Sequence, residues 1–152
     1  MTGGPGLTTA VVQRVLPAPP DVVYDEWLDA EGMAEWMCPR PARPTKIELD
    51  PRVGGRLRID IDDEGFLLRV TGTYLDLRRP HQLSFTWKCS AWPEPDLESV
   101  VTVVLRPHGD DQTLMTIRHS LLPPDVADGQ RQGWGRVARQ LDDRLPTRMG
   151  DP

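Results

Sequence analysis

Between Leu57 and His119 the chain alternates apolar and polar residues in one strand-length run after another, and a single long helical pattern, around Trp134, is left to cover them. Leu57, Ile59 and Ile61 point one way while Arg56, Arg58 and Asp60 point the other, which is the period-two pattern of a half-buried strand. Leu83, Phe85 and Trp87 alternate with Ser84, Thr86 and Lys88, and Val101, Val103 and Leu105 form the next run. Met115, Ile117 and His119 share a face opposite Leu114, Thr116 and Arg118. Residues 66–77 also read as a strand, but both Val70/Gly72/Tyr74 and Thr71/Thr73/Leu75 are plausible inward sets. Turns punctuate these runs at Gly54-Gly55, Asp62-Asp63-Glu64-Gly65, Arg79-Pro80 and His108-Gly109-Asp110-Asp111, with a proline-bearing loop over residues 91–96.

Six neighbouring strands at ~4.8 Å spacing make a sheet ~29 Å wide, whereas one helix with its side chains is ~10–12 Å across. The uncovered part of the apolar face costs ~25 cal/mol for each Å² left in water. The sheet is therefore expected to curl around the long helix. Its pattern is Trp134, Val137, Ala138, Leu141 and Leu145, opened by Pro123-Pro124-Asp125. Gly129, Gly133 and Gly135 each cost ~1 kcal/mol relative to alanine inside a helix, so they imply either a late helix start or a close approach of backbone to something else.

Ahead of the main run, residues 9–16 read as a first strand that ends at Pro17-Ala18-Pro19-Pro20. Pro20 and Asp21 suit a first helical turn, where a missing N–H is harmless and a negative charge faces the positive end of the helix dipole. Val23, Tyr24, Trp27 and Leu28 give that helix one apolar face. Met33, Trp36 and Met37 form a second short helical pattern before Pro39, and residues 45–49 resume as a strand. The resulting expectation is one α+β domain over residues 9–145, with a disordered tail at 1–8 and another tail at 146–152.

The 152 residues suit a single core, and with 27% charged and 38% apolar residues the chain is neither disordered nor membrane-like in composition. No apolar run approaches the ~18 residues of a membrane span, and the first residues lack the basic start and apolar stretch of a signal peptide. A cytoplasmic protein without membrane association is expected. A net charge of -5, with basic residues scattered among acids, argues against nucleic acid. Cys38 and Cys89 have neither C-x-x-C spacing nor nearby histidines, so they read as ordinary thiols, and no metal or cofactor is expected. Asp62-Asp63-Glu64 lacks the spaced ligands of a calcium loop and serves as a soluble turn.

The segments Val22-Val23-Tyr24-Asp25-Glu26-Trp27, Trp36, Gly54-Gly55-Arg56, Gly72-Thr73-Tyr74, Pro80-His81-Gln82-Leu83-Ser84-Phe85-Thr86-Trp87, Val101-Thr102-Val103 and Gln132-Gly133-Trp134 carry a resemblance. In order and spacing they resemble the START-related SRPBCC superfamily, in the branch homologous to the activator of the 90-kDa heat-shock protein ATPase. The resemblance spans residues 9–145. It implies a helix-grip fold, in which a curved antiparallel sheet wraps a long C-terminal helix and two short helices follow the first strand. It also implies a hydrophobic pocket between sheet and helix. Gln130 and Arg131 stand where many members carry a histidine, so that histidine's role does not transfer.

The expected ligand-contacting set is Trp36, Tyr74, Phe85, Trp87, Val103, Ile117, His119, Trp134 and Val137, with no catalytic residue assigned. His119 falls on the inward face and has the chemistry to orient a ligand or move a proton near neutral pH. Its plainer reading is a core-edge histidine bonded to backbone or solvent. Stiff aromatics both line cavities and fill cores, so Trp134 fits either role. Arg69 has a carboxylate-binding fork, though a solvated sheet-face arginine accounts for it as well. The favoured function is binding or carrying a hydrophobic small molecule. A cyclase- or dehydratase-like enzyme and a co-chaperone-like interaction module in stress response are the alternatives, and the protein is expected to be a monomer or homodimer.

Overall fold

The computed structural model describes residues 6–148; most of the two expected tails lies outside them. The chain runs β1 (Thr8–Leu16), α1 (Pro20–Trp27), α2 (Ala30–Met33), β2 (Arg43–Leu49), β3 (Arg56–Asp63), β4 (Phe66–Arg78), β5 (Gln82–Cys89), β6 (Ser99–Pro107), β7 (Thr113–Leu122) and α3 (Pro124–Arg148). All seven strands join one sheet in the order β1-β7-β6-β5-β4-β3-β2, every pair antiparallel. The sheet is one strand wider than the six assumed above, because β2 pairs along β3 and forms the far edge. It curves without closing, and α3 lies in its concave side. This is the α+β helix-grip fold.

The chain order explains how so wide a sheet is covered. β1 and β2 are opposite edges, so the segment joining them must cross the whole concave side. That segment carries α1 and α2. Pro19, extended at φ -69 and ψ 160, begins α1, and Asp29 caps α2 by accepting a hydrogen bond from the Glu31 N–H. Val23, Tyr24 and Trp27 of α1 are buried, as are Gly32 and Met33 of α2. α3 supplies the buried stripe Trp134, Val137, Ala138, Leu141 and Leu145 and packs chiefly along β1 and β7. On β1, Arg14 reaches Asp142 of α3 at 2.7 Å.

The three helices are tied together by one buried charge. Glu26, with no exposed surface, accepts hydrogen bonds at Oε1 from the Trp36 indole at 3.1 Å and from Arg144 of α3 at 2.8 Å. Gly32 lets α2 come close to this pair: a Cβ there would stand 3.0 Å from an Arg144 nitrogen and 3.1 Å from Glu26 Oε1.

The facing of β4 is ambiguous in sequence because the strand changes face partway. Val70 pairs with Cys89 and Tyr74 with Phe85, but Asp76 pairs with Ser84 and Leu77 with Leu83, so β4 carries one residue more than β5. That extra residue is a bulge. Val70 and Tyr74 are buried on the concave side, Leu75 is exposed, and after the bulge Leu77 packs against the core again. At Gly72 the two strands approach so closely that an added Cβ would lie 1.9 Å from the Thr86 carbonyl oxygen. Thr73 N–H instead donates to the Thr86 hydroxyl at 2.9 Å.

This spacing makes two glycines opposite in effect. Gly72→Ala is expected to destabilise the protein by at least ~2 kcal/mol, because backbone must move. Gly135→Ala, on α3 with nothing within 4 Å of its Cβ position, is expected to stabilise it by up to ~1 kcal/mol. Urea unfolding of the two variants measures both signs.

Candidate functional site

Much of the concave side is packed solid with aromatic rings. Trp27 stands edge-on to Trp36 with centroids 4.9 Å apart, and it also contacts Phe85 at 6.3 Å and Trp134 at 6.1 Å. Tyr74 meets Phe85 edge-on at 6.1 Å, and Trp87 lies 5.2 Å from Trp134. Such pairs add ~0.5–1.5 kcal/mol each beyond the area they bury. Among Trp27, Tyr74, Phe85, Trp87 and their neighbours only about 10 Å³ is left, at most the room of one water. Val103 and Ile117 are fully buried beneath the helices.

His119 sits in this packing with no exposed surface. The Trp134 indole N–H donates to its Nδ1 at 3.0 Å, so Nδ1 is the acceptor nitrogen and the proton of the neutral ring is on Nε2. Nε2 lies 2.7 Å from the Ser99 hydroxyl, which in turn donates to the Trp87 carbonyl at 2.7 Å. Every polar atom of this chain has a partner. It ties β7 to α3 through Trp134 and to β6 and β5 through Ser99. Burial holds the His119 pKa down to about 3, against its ordinary 6.5. The ring therefore stays neutral near pH 7, with both nitrogens engaged.

A larger space opens where the aromatics stop. A cavity of about 290 Å³ lies between the first half of α3 and the β3–β5 part of the sheet. Ile61, Leu68, Val70, Trp87 and Cys89 form its sheet wall, and Ala91 and Trp92 close one end. Gly129, Gln130, Gly133, Trp134 and Val137 form the helix wall; Met37, Cys38, Pro39 and Ala42 complete it. Of the residues expected to contact a ligand, Trp87, Trp134 and Val137 line this space. Tyr74, Phe85 and Trp87 border the small internal gap, while Trp36, Val103, Ile117 and His119 border neither.

The cavity exists because α3 has no side chains at two facing positions. The helix starts at Pro124, so Gly129 and Gly133 are inside it, one turn apart on the same face. A Cβ on Gly129 would meet nothing within 4 Å, and one on Gly133 would meet only Pro39 Cγ at 3.7 Å. The loop that completes the lining, around Cys38, is held by Gln140 of α3, a residue the sequence did not single out. Its Nε2 donates to the Trp36 and Cys38 carbonyls at 2.9 and 2.8 Å, and its Oε1 accepts from the Arg40 N–H at 3.0 Å. These bonds fix Cys38 with φ at 76°.

The two thiols of the cavity carry no charge at neutral pH. Both cysteines, remote in sequence, meet here as free buried thiols. Burial pushes Cys38 up to about 12, with a smaller contribution from Cys89, whose own pKa burial also raises. Neither supplies a thiolate at neutral pH. Asp63 and Gln130 are the polar side chains of the lining. Among the described residues, no group of three or more His, Cys, Asp or Glu is placed to hold a metal ion, and no helix is long and apolar enough to cross a membrane. On the outer face of the sheet a hollow of about 710 Å³ is lined by Arg56, Arg58, Lys88, Glu48, Asp50 and Glu98 among others; these opposed charges favour water as occupant. Arg69 is exposed and pairs with Asp60 at 2.8 Å on that same outer side.

The depressed pKa of His119 has a definite sign in stability. Below about pH 6.5 the unfolded chain takes up a proton that the folded protein refuses until about pH 3. The contribution of His119 is complete above pH 6.5 and is lost as pH falls toward 3, at ~1.4 kcal/mol per unit. Urea unfolding between pH 7 and 4 is expected to show this loss in the wild type and a shallower one in His119→Phe. NMR of the His119 ring is expected to show no titration between pH 5 and 8.

Comparison with solved structures finds the same fold repeatedly. Protein NE0264 from Nitrosomonas europaea shares 22% identity, with 94% of this chain and 97% of that chain covered and a TM-score of 0.81. Protein CV1439 from Chromobacterium violaceum shares 26% identity over 90% of this chain and 96% of that chain, with a TM-score of 0.79. The AHSA1 (SPO3351) protein from Silicibacter pomeroyi shares 19% over 92% and 99%, also with a TM-score of 0.79. The comparison with curated proteins gives no match. A family model described as activator of Hsp90 ATPase homolog 1-like protein matches residues 17–145, from the end of β1 to the last buried leucine of α3. The chain therefore belongs to the activator of Hsp90 ATPase homolog 1-like family.

Proposed function

We propose that this protein binds a small apolar molecule in the cavity between α3 and the β3–β5 wall. The observation that carries this reading is a space of about 290 Å³ with almost wholly apolar walls, in a molecule whose remaining concave side is densely packed. Ligand sites are typically concave, mostly apolar and ~300–1,000 Å³, so the space suits a compact ligand. Two glycines in one helix face forgo ~1 kcal/mol each relative to alanine. Nothing in the packing requires them there, since a methyl group fits at both positions. An empty space kept at that cost is accounted for by an occupant.

Binding is favoured over acid–base catalysis by the same lining. Its thiols are held protonated, and His119, the one histidine on the concave face, keeps both nitrogens engaged in the core. A second reading, docking onto a chaperone, draws support from the family and from Phe66 and Leu67, which stand 62% and 75% exposed at the start of β4. One substitution separates the two. Gly133→Leu fills the cavity from the helix wall and improves helix propensity, so it is expected to keep or raise the melting temperature while reducing the affinity of a displaceable apolar dye at least ~tenfold. Unchanged dye affinity contradicts the cavity reading. A docking module alone predicts a variant that behaves as the wild type in every binding assay.

A further inference from the structure

Two polar side chains, Asp63 and Gln130, stand in an otherwise apolar cavity lining. On β3, alternation puts Ile59, Ile61 and Asp63 on the concave face, and Asp60 and Asp62 on the other. Asp62 is used by the hairpin, accepting the Gly65 N–H at 2.7 Å, and Asp60 pairs with Arg58 and Arg69. Asp63 stands at the cavity's exposed end and takes part in no ion pair or side-chain hydrogen bond among the described residues. Across from it, Gln130 belongs to the stripe of Gly133, Trp134 and Val137 on α3, and its amide likewise has no side-chain partner there.

No lysine, arginine or histidine lines the cavity. Of the arginines beside the lining residues, Arg40 donates its guanidinium to the Glu35 carbonyl at 3.0 Å, Arg69 pairs with Asp60 and Arg131 with Asp128, while Arg43 lies opposite Asp62 in the β2–β3 register and so shares that residue's outer face rather than the face of Asp63. A ligand seated with its apolar body between Gly133 and Val70 therefore has its polar end beside an uncompensated carboxylate and a neutral amide. A carboxylate head would meet repulsion without a donor of opposite charge. An ammonium head would find an acceptor in Asp63 and another in the Gln130 carbonyl oxygen.

We infer that the cavity selects a compact amphiphile with a cationic, ammonium-type head, held at the mouth by Asp63 and Gln130, and discriminates against the corresponding carboxylate. This rests on the binding reading above and adds the chemical class of the ligand. Three probes share one apolar body: 2-naphthylmethylammonium, 2-naphthylmethanol and 2-naphthoate. Calorimetric titration of the full chain at pH 7 and low salt is expected to rank them in that order, with about tenfold between cation and anion, which corresponds to ~1.4 kcal/mol. Added salt is expected to narrow the gap, since the mouth is exposed.

Asp63→Asn is expected to bring the ratio to about twofold and leave the alcohol's affinity unchanged. Glu64→Gln, which removes the same charge one residue away in the exposed turn, is expected to keep it, and so tests the site against the protein's overall negative charge. Equal binding of all three probes, or preference for naphthoate, overturns the inference and leaves the binding reading standing. A ratio that falls equally in both variants also overturns it, because the preference then belongs to the surface at large. Absence of binding by all three removes the binding reading itself.

Discussion

The Glu26–Arg144 pair is the interaction on which the covering of the sheet depends. α1, α2 and α3 come from both ends of the chain, and Glu26 is where they meet: its own helix, the Trp36 indole just after α2, and Arg144 near the end of α3. A buried carboxylate deprived of its cation costs ~3–5 kcal/mol, a large share of the ~5–15 kcal/mol by which a domain of this size is stable. The pair's geometric role matters as much as its strength. It ties the C-terminal end of α3 to α1 and to the segment that follows α2.

From that anchor the interior divides into two regions. On one side of Trp134 the concave face is filled by aromatic rings, and the His119–Ser99–Trp87 chain locks the Trp134 indole into the sheet. Toward the N-terminal half of α3, Gly129 and Gly133 present bare backbone, and the facing sheet residues Val70, Leu68 and Ile61 are too short to reach it. Gln140 keeps the loop after α2 from collapsing inward by holding three of its backbone groups. The cavity is thus a consequence of side-chain size along one helix face, within a frame that is otherwise closely packed.

The architecture was legible in the sequence because alternation and helical spacing report burial directly. Leu83, Phe85 and Trp87, or Trp134, Val137 and Leu141, declare their inward faces through the residues between them. The site was less legible. Asp63 looked like part of a solvated turn, and only the parity of β3 turns it toward the cavity while Asp62 turns away. Cys38 and Cys89 share a wall although 50 residues and three strands separate them. The bulge in β4 concealed that strand's facing, since a one-residue insertion reverses the pattern. The α3 glycines fit either a delayed helix start or an exposed helix backbone in sequence, and the helix start at Pro124 decides for the second.

The proposed function rests on the space beside Gly129 and Gly133, which the protein's own side chains leave unfilled. A high-resolution crystal structure of protein purified without added ligand tests it directly. Met37, Leu68 and Trp92 are expected to stay on the walls, and the space between Trp134, Gly133 and Val70 to hold either no density or the density of a compact bound molecule. Collapse of those side chains onto the Gly129–Gly133 face, leaving no space beneath the first half of α3, would contradict it.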